Sequence, residues 1–439
     1  KLLPRIYMII EEINRRYSEE IRLKYPGNWE KVNRMSIIAD NQDKMAHLAI
    51  VGSYSVNGVA KLHTEILKKK EMSDFYYLYP NKFSNKTNGI THRRWLLKSN
   101  PHLTKLLKDT IGDSFIRHPI DLRNFERHLN DQVVLRQLEK IKKFNKEKLA
   151  NIILKNDNII VDTDSIFDVQ VKRIHAYKRQ MLNCLRIMDL YNTLIDNPNY
   201  DIVPRTFIFG GKAAPGYYLA KSTIELINSV ANKINNDPRV NEKMKVVFIQ
   251  NYRVSLAENI IPGTDVSEQI STTTKEASGT SNMKFMMNGA ITVATLDGAN
   301  IEIRDEVADD NIVIFGLNAD EVLNYYQNGG YRSIDIYNSD KRVKRVIDDL
   351  INGKYHNDKG RFRNIYENLI TYNDEFFVLQ DFDSYLKAQE KIDTLYRDSN
   401  KWQKMCGINI AHSGIFSSDR TIEEYATGIW GSAVISKNL

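Results

Sequence analysis

Cysteine is nearly missing: Cys184 and Cys406 are the only two in 439 residues, and they form no CxxC pair. That excludes a disulfide-stapled scaffold and a cysteine zinc site, and it fits a reducing cytosol. No run of eighteen apolar residues occurs, so no membrane-spanning helix is expected. No signal-peptide pattern opens the chain. The histidines show no ligand spacing, so no metal is expected. Repeats at solenoid periods and low-complexity linkers are also absent. The formal charge of +7 and the runs Lys68-Lys69-Lys70 and 140–148 invite a nucleic-acid reading. No nucleic-acid motif accompanies them, so they read as solvated helix faces, and neither nucleic acid nor membrane is an expected partner.

The length suggests about three domain-sized units. The first residue is Lys1, and Leu2, Leu3, Ile6, Ile9, Ile10 and Ile13 read as a helix already under way, so the chain reads as a piece of a longer protein. That amphipathic helix spans 1–24 and is stopped by Pro26-Gly27. A helix is expected near 58–70 and a long charged one over 131–154. Residues 80–100 are polar and turn-rich, and a domain boundary is expected there. From about 165, short β-branched or aromatic runs alternate with helical stretches. Strands are expected at 167–172, 206–209, 245–250, 291–296 and 311–315. Strands alternating with helices imply a parallel sheet covered on both faces, with ligands at the carboxyl ends of its strands.

The segments that follow these strands carry the chemistry. The run 276–285 puts a carboxylate, small residues and Lys284 at a loop-to-helix junction. Helix N-termini attract phosphate, and Lys284 would share a helix face with Thr280 four residues earlier. A phosphate cradle with a lysine one turn away suits a phosphorylated aldehyde cofactor held as a Schiff base. Lys172, Arg173, His175, Lys178 and Arg179 crowd a strand end and helix start, against the helix dipole. Such a cluster makes sense if an anion neutralises it, with arginine gripping phosphate in a bidentate way. The glycines at 210, 211 and 216 miss the GxxxxGK[ST] spacing and point to close backbone approach or a tight turn instead of a nucleotide loop. Tyr252 and Arg253 could line a pocket or merely pack, and Asn88-Gly89 is first a turn signal.

These segments together resemble the α-glucan (glycogen, starch and maltodextrin) phosphorylases. The matching runs are NKTNGIT at 85–91, VKRIHAYKRQ at 171–180, GGKAAPGYYLAK at 210–221, QNYRVSLAE at 250–258 and SEQISTTTKEASGTSNMKF at 267–285. NGAITVATLDGANIEI at 288–303 and FSSDRTIEEYATGIW near the end also match. The resemblance implies an α/β fold of two Rossmann-like domains, the GT-B arrangement of glycosyltransferases, with the active site between them. It assigns 1–88 to the end of the first domain, 89–416 to the complete cofactor domain, and 417–439 to a C-terminal helix packing back toward the first. The implied reaction is reversible phosphorolysis of α-1,4-glucan to glucose 1-phosphate with retention, and the implied cofactor is pyridoxal 5'-phosphate, whose phosphate is the working part. A cytoplasmic, allosteric homodimer acting on glucan, inorganic phosphate and glucose 1-phosphate is implied as well. The family's N-terminal region is not in this chain, which alone is expected to be incomplete.

The same resemblance distributes roles. Lys284 matches the Schiff-base lysine. Lys172, Thr280 and Ser281 match the surroundings of the cofactor phosphate. Trp95, Tyr252 and Arg253 match the cofactor pocket. Arg173 and Lys178 match ligands of the substrate phosphate, and with Lys172 and Thr280 they make up the catalytic set. Glu276, Ser278 and Gly279 match contacts to the glucosyl hydroxyls, Asn88 and His175 further sugar positions, and Tyr177 a contact near the 2-hydroxyl. Ala176, Ser281 and His92 depart from residues common at these positions. The nearest rival is a retaining nucleotide-sugar glucosyltransferase, which commonly pairs two glutamates eight positions apart; here Glu276 is followed at that spacing by Lys284, favouring an aldehyde cofactor.

Overall fold

The computed structural model describes residues 2–433. They separate into two compact units, one from residues up to Thr87 together with those from Glu423 onward, the other Asn88–Ile422. In the smaller unit Pro4 opens a helix, Pro4–Lys24, that stops before Pro26-Gly27 as expected. It packs Tyr17 and Ile21 against Val32, Met35, Ile50, Phe75 and Phe83. Its first turns leave Ile6 and Ile9 exposed, as are Leu2 and Leu3 just before it. Within the stretch 80–100, the structure forms a strand, Phe83–Asn85, and a π-helical turn, Arg93–Lys98, that buries Trp95 and Leu96. The stretch expected to be turn-rich thus carries two short elements and buries Phe83, Ile90, Trp95 and Leu96, while 86–89 have no regular structure and the boundary between the two units falls there, after Thr87. Ser418–Tyr425 is helical and continues into a π turn, Ala426–Trp430. Residues 434–439, the end of the helix expected over 417–439, lie outside the described residues.

The larger unit is built on a six-stranded sheet: β1 Ile166–Val171, β2 Arg205–Gly210, β3 Met244–Ile249, β4 Val266–Gln269, β5 Ile291–Ala294 and β6 Val313–Ile314. Every pairing is parallel and the spatial order is β6-β5-β4-β1-β2-β3. Alternate residues serve two cores. Phe167, Val169, Ile208 and Val247 belong to one, with the helix Gln132–Asp157 and Ile410. Ile166, Phe207, Phe209 and Val246 belong to the other, with the helices Gln180–Asp196 and Phe382–Tyr396. Burial on both faces is what parallel strands require.

Five of the strands coincide with the apolar runs. β4 does not: its sequence Val-Ser-Glu-Gln carries no apolar run and no strand is expected there, yet it lies fully buried between β1 and β5. Its polar side chains find internal partners, as buried polar groups must. Gln389 donates to Glu268 at 2.7 Å, and Gln269 donates to Ser267 at 2.9 Å. Burial first, and the nearby Asp168 carboxylate second, push the Glu268 carboxyl well above the usual range.

Candidate active site at the sheet switch point

The strand order reverses between β1 and β4, because β2 and β3 extend one way and β5 and β6 the other. A crevice opens at the carboxyl ends of two such strands. Lys172 leaves β1 there, and Ile270 leaves β4. The two exits are stitched together by Arg179. It sits in the left-handed region at φ 55° and is fully buried. Its guanidinium donates to the Ile270 carbonyl at 2.7 Å and to Asp381 at 2.6 Å. Arg179 is therefore not one of the cations awaiting an anion, as its place in the basic run suggested; its charge is already matched inside the fold.

The remaining cations are different. The backbone of Lys172 is fixed by its N–H donating to Gly210 at 2.9 Å. A Cβ on Gly211 would stand 1.9 Å from the Lys172 carbonyl, so Gly211 serves close backbone approach, whereas Gly216 faces open space. The Lys172 ammonium, half-buried, has no hydrogen bond or ion pair among the described residues. Burial lowers it to about 8, with the Lys178 charge adding to that and Glu276 opposing it. Arg173 is exposed and its guanidinium likewise has no partner there. Lys178 is paired with Glu276 and lies 4.7 Å over the Tyr177 ring. Burial pulls the Glu276 carboxyl upward, but the Lys172 and Lys178 ammoniums outweigh it and leave the carboxyl below its usual range. Three cations against the Glu276 carboxylate and the Asp297 carboxylate that also acts on Lys172 leave an excess of positive charge in a partly desolvated crevice.

His175 and Tyr177 stand beside them. The His175 ring lies 4.7 Å from Tyr177 and 4.9 Å from Tyr217, and its Nδ1 is buried without a partner. Burial, then the charges of Lys178 and Arg173, lower its pKa, so the ring is neutral at pH 7. A neutral ring with an open nitrogen suits a hydroxyl. The Tyr177 carbonyl accepts the Thr272 N–H at 2.8 Å, which ties the β1 exit to the loop after β4.

That loop leads to the helix Ser281–Met287, where the sequence placed a helix start. Thr280 is its N-cap, and its carbonyl accepts the Lys284 N–H at 3.3 Å. Gly279 has φ 75°, a conformation glycine takes freely. Ser278 is buried with its hydroxyl turned to the Gly279 carbonyl at 2.9 Å, and Ser281 lies 3.4 Å from Gln269. The Lys284 ammonium has no carboxylate partner among the described residues. It rests 4.3 Å over the Trp95 ring, and burial lowers its pKa. Tyr252 packs into the same core as Trp95, its hydroxyl pushed up to about 12 by burial.

Two expected residues are not drawn into this cluster. Arg253 is exposed and donates to the Asn251 carbonyl at 3.2 Å. Asn88 begins the larger unit, and its carbonyl accepts from Arg420 at 3.1 Å. One residue was overlooked. Asn288 donates to the Trp95 carbonyl at 2.7 Å and to the Lys284 carbonyl at 3.0 Å, and accepts from Asn100 at 3.0 Å. It clamps the two elements that bring Lys284 and Trp95 together. Its Asn-Gly dipeptide reads as a turn, and only the tertiary fold gives its side chain two carbonyls to bridge.

The sequence profile of the carbohydrate phosphorylase family matches residues 1–432. The chain is 56% identical over 430 residues to a glycogen phosphorylase of Bacillus subtilis, covering 98% of this chain and 54% of that one. It is 48% identical over 434 residues to the liver form of human glycogen phosphorylase, and 47% identical over 435 residues to a glycogen phosphorylase of Synechocystis. Each covers 98% of this chain and 51% of the relative. The chain thus spans about half the length of the curated relatives it matches.

Proposed function

The chain belongs to the carbohydrate phosphorylase family, and from that premise we propose that it is the cofactor-bearing part of an α-1,4-glucan phosphorylase. The whole protein would cleave glucan with inorganic phosphate to give glucose 1-phosphate with retention, and run the reverse. We read the six-stranded unit as the cofactor domain of a GT-B fold and residues 1–88 as the end of the domain before it. The same reading gives a cytoplasmic homodimer.

The observation that carries the proposal is the pair of unmatched ammoniums, Lys172 and Lys284, at one switch point. A lysine without an anionic partner, desolvated beside an indole, fits a residue that tethers an aldehyde cofactor. A second one, half-buried a strand exit away, fits a phosphate. These residues therefore suit pyridoxal 5'-phosphate: Lys284 as the tether, Trp95 and Tyr252 as the wall, and Lys172, Thr280 and Ser281 around the phosphate. When bound, that group supplies a phosphate that acts as proton donor or electrostatic partner to the substrate phosphate.

The chain's own residues do the rest. Arg173 and Lys178 would hold the substrate phosphate, offsetting the repulsion between two dianions in a site of reduced dielectric. Lys178 would exchange part of its attraction to Glu276 for that anion. Glu276, Ser278 and Gly279 would meet the glucosyl hydroxyls, with the neutral His175 ring accepting or donating a hydrogen bond and Tyr177 near the 2-hydroxyl. Asn88 and Arg253 are the least supported assignments, since neither touches the cluster.

The test is borohydride reduction of the whole protein followed by peptide mapping, with phosphorolysis of maltodextrin measured on the same preparation. A stable label on Lys284 and release of glucose 1-phosphate are expected. A label on another lysine, or no product from labelled-competent protein, would refute the proposal.

A further inference from the structure

Thr274 occupies the left-handed region at φ 79°. For a β-branched residue this is an outlier, since its Cβ substituents crowd the backbone there. Such strain persists only where surrounding contacts over-determine it. The contacts come from Asp297, in the turn that follows β5, which is buried to 1% exposure. Its Oδ1 accepts the Thr274 N–H at 2.9 Å, and its Oδ2 accepts the Glu276 N–H at 2.8 Å. Each carboxylate oxygen thus accepts from one of the two amides that flank Lys275. The next residue, Gly298, has φ 52°, and a Cβ on it would stand 2.7 Å from the Glu276 carbonyl and 2.6 Å from that of Ser278. The Asp297-Gly298 turn is pressed directly beneath the loop that presents Glu276.

We propose that Asp297 is a positioning residue: it clamps the strained Thr274–Glu276 turn so that the Glu276 carboxylate faces the crevice beside Lys172 and Lys178. This rests on the reading of Glu276 as a sugar contact. Thr273 anchors the other side of the turn, its hydroxyl donating to the Leu317 carbonyl at 2.7 Å, and the Lys275 N–H closes the turn onto the Thr272 carbonyl at 3.1 Å. Without the carboxylate, Thr274 would relax toward negative φ and swing Glu276 away. Asp297 also lies near enough to Lys172 to favour its charge, which is a second route by which its loss would be felt. A glycine at position 274 separates the two routes, because glycine holds positive φ unaided but restores no charge.

The experiment uses the whole protein with Asp297→Asn, Thr274→Gly and the double substitution. Asparagine keeps the shape but offers only one acceptor to two N–H groups. Asp297→Asn should lower kcat/KM for maltodextrin phosphorolysis about tenfold or more, as misplacement of an oriented group does. Borohydride labelling of Lys284 should be unchanged, and amide exchange at Thr274 and Glu276 should accelerate. Adding Thr274→Gly should recover about threefold or more of the lost activity and slow that exchange again. A smaller loss than about tenfold, or a labelled double variant that recovers less than about threefold, overturns the proposal. If the wild type makes no glucose 1-phosphate, the functional reading falls by itself; the exchange rates then decide the clamp, and unaltered exchange in Asp297→Asn overturns it.

Discussion

Replacing Lys172 by methionine should stabilise the ligand-free protein while destroying its use. The ammonium is lowered from 10.5 to about 8, chiefly by burial. At about 1.4 kcal/mol per pH unit that is about 3 kcal/mol of stability forgone by keeping the group charged at neutral pH. Solvent still reaches part of the side chain, and Glu276 would lose an attractive partner, so a net gain of about 1–2 kcal/mol is expected. The pH dependence follows from the direction of the shift. Between about 8 and 10.5 the unfolded chain keeps the proton that the folded one releases, so wild-type stability rises with pH through that window. The advantage of Lys172→Met should therefore be full below pH 8 and gone by about pH 10.5. Native-state hydrogen exchange of the β1 amides, on protein stripped of cofactor and phosphate, reads the larger unit alone. With a phosphate bound, the sign should reverse, because the ammonium then has its anion, and phosphorolysis should be lost. A variant that is no more stable at pH 7, or equally favoured at pH 7 and 10.5, would refute the account of Lys172 as an unmatched buried charge.

Arg173→Ala should raise KM for phosphate and lower kcat/KM by about a hundredfold, the scale of one charge-assisted contact, with glucan affinity nearly unchanged; equal loss of both in steady-state kinetics would remove Arg173 from the phosphate site. Asp381→Ala should destabilise the larger unit by about 3–5 kcal/mol, because it strands the Arg179 guanidinium in the core. Urea unfolding followed by β1 amide exchange would show it, and a loss below about 1 kcal/mol would mean that the Ile270 and Phe377 carbonyls suffice for Arg179.

Much of the larger unit was legible because its strands advertise themselves. Phe-Asp-Val-Gln-Val and Thr-Phe-Ile-Phe combine β-branched and aromatic residues in runs too short for helices, and they fold as β1 and β2. The strand-end position of the basic run and the helix start at Ser281 followed from that alternation. β4 stayed hidden because it carries no apolar run and its buried carboxyl, Glu268, finds its partner far along the chain, in Gln389. Without β4 the switch point itself has no second wall, so the exact place of the crevice could not be read. The smaller unit was less legible, since the apolar face of Pro4–Lys24 looks the same in sequence whether its residues are buried, like Ile21, or exposed, like Ile6.

By itself the sequence determined the residue types, their order after successive strands, and the family they match. Those depend on local propensity and on motifs that are contiguous in the chain. Only the tertiary structure decided which charges are already matched. Arg179 and Lys172 stand seven positions apart in one basic run, yet Asp381 neutralises the first and nothing described pairs with the second. It likewise placed Trp95 under Lys284 and Asp297 under Glu276. Such pairings join segments far apart in the chain, and neither partner carries a local signal of the other, because the contact energy exists only once the sheet has brought them together.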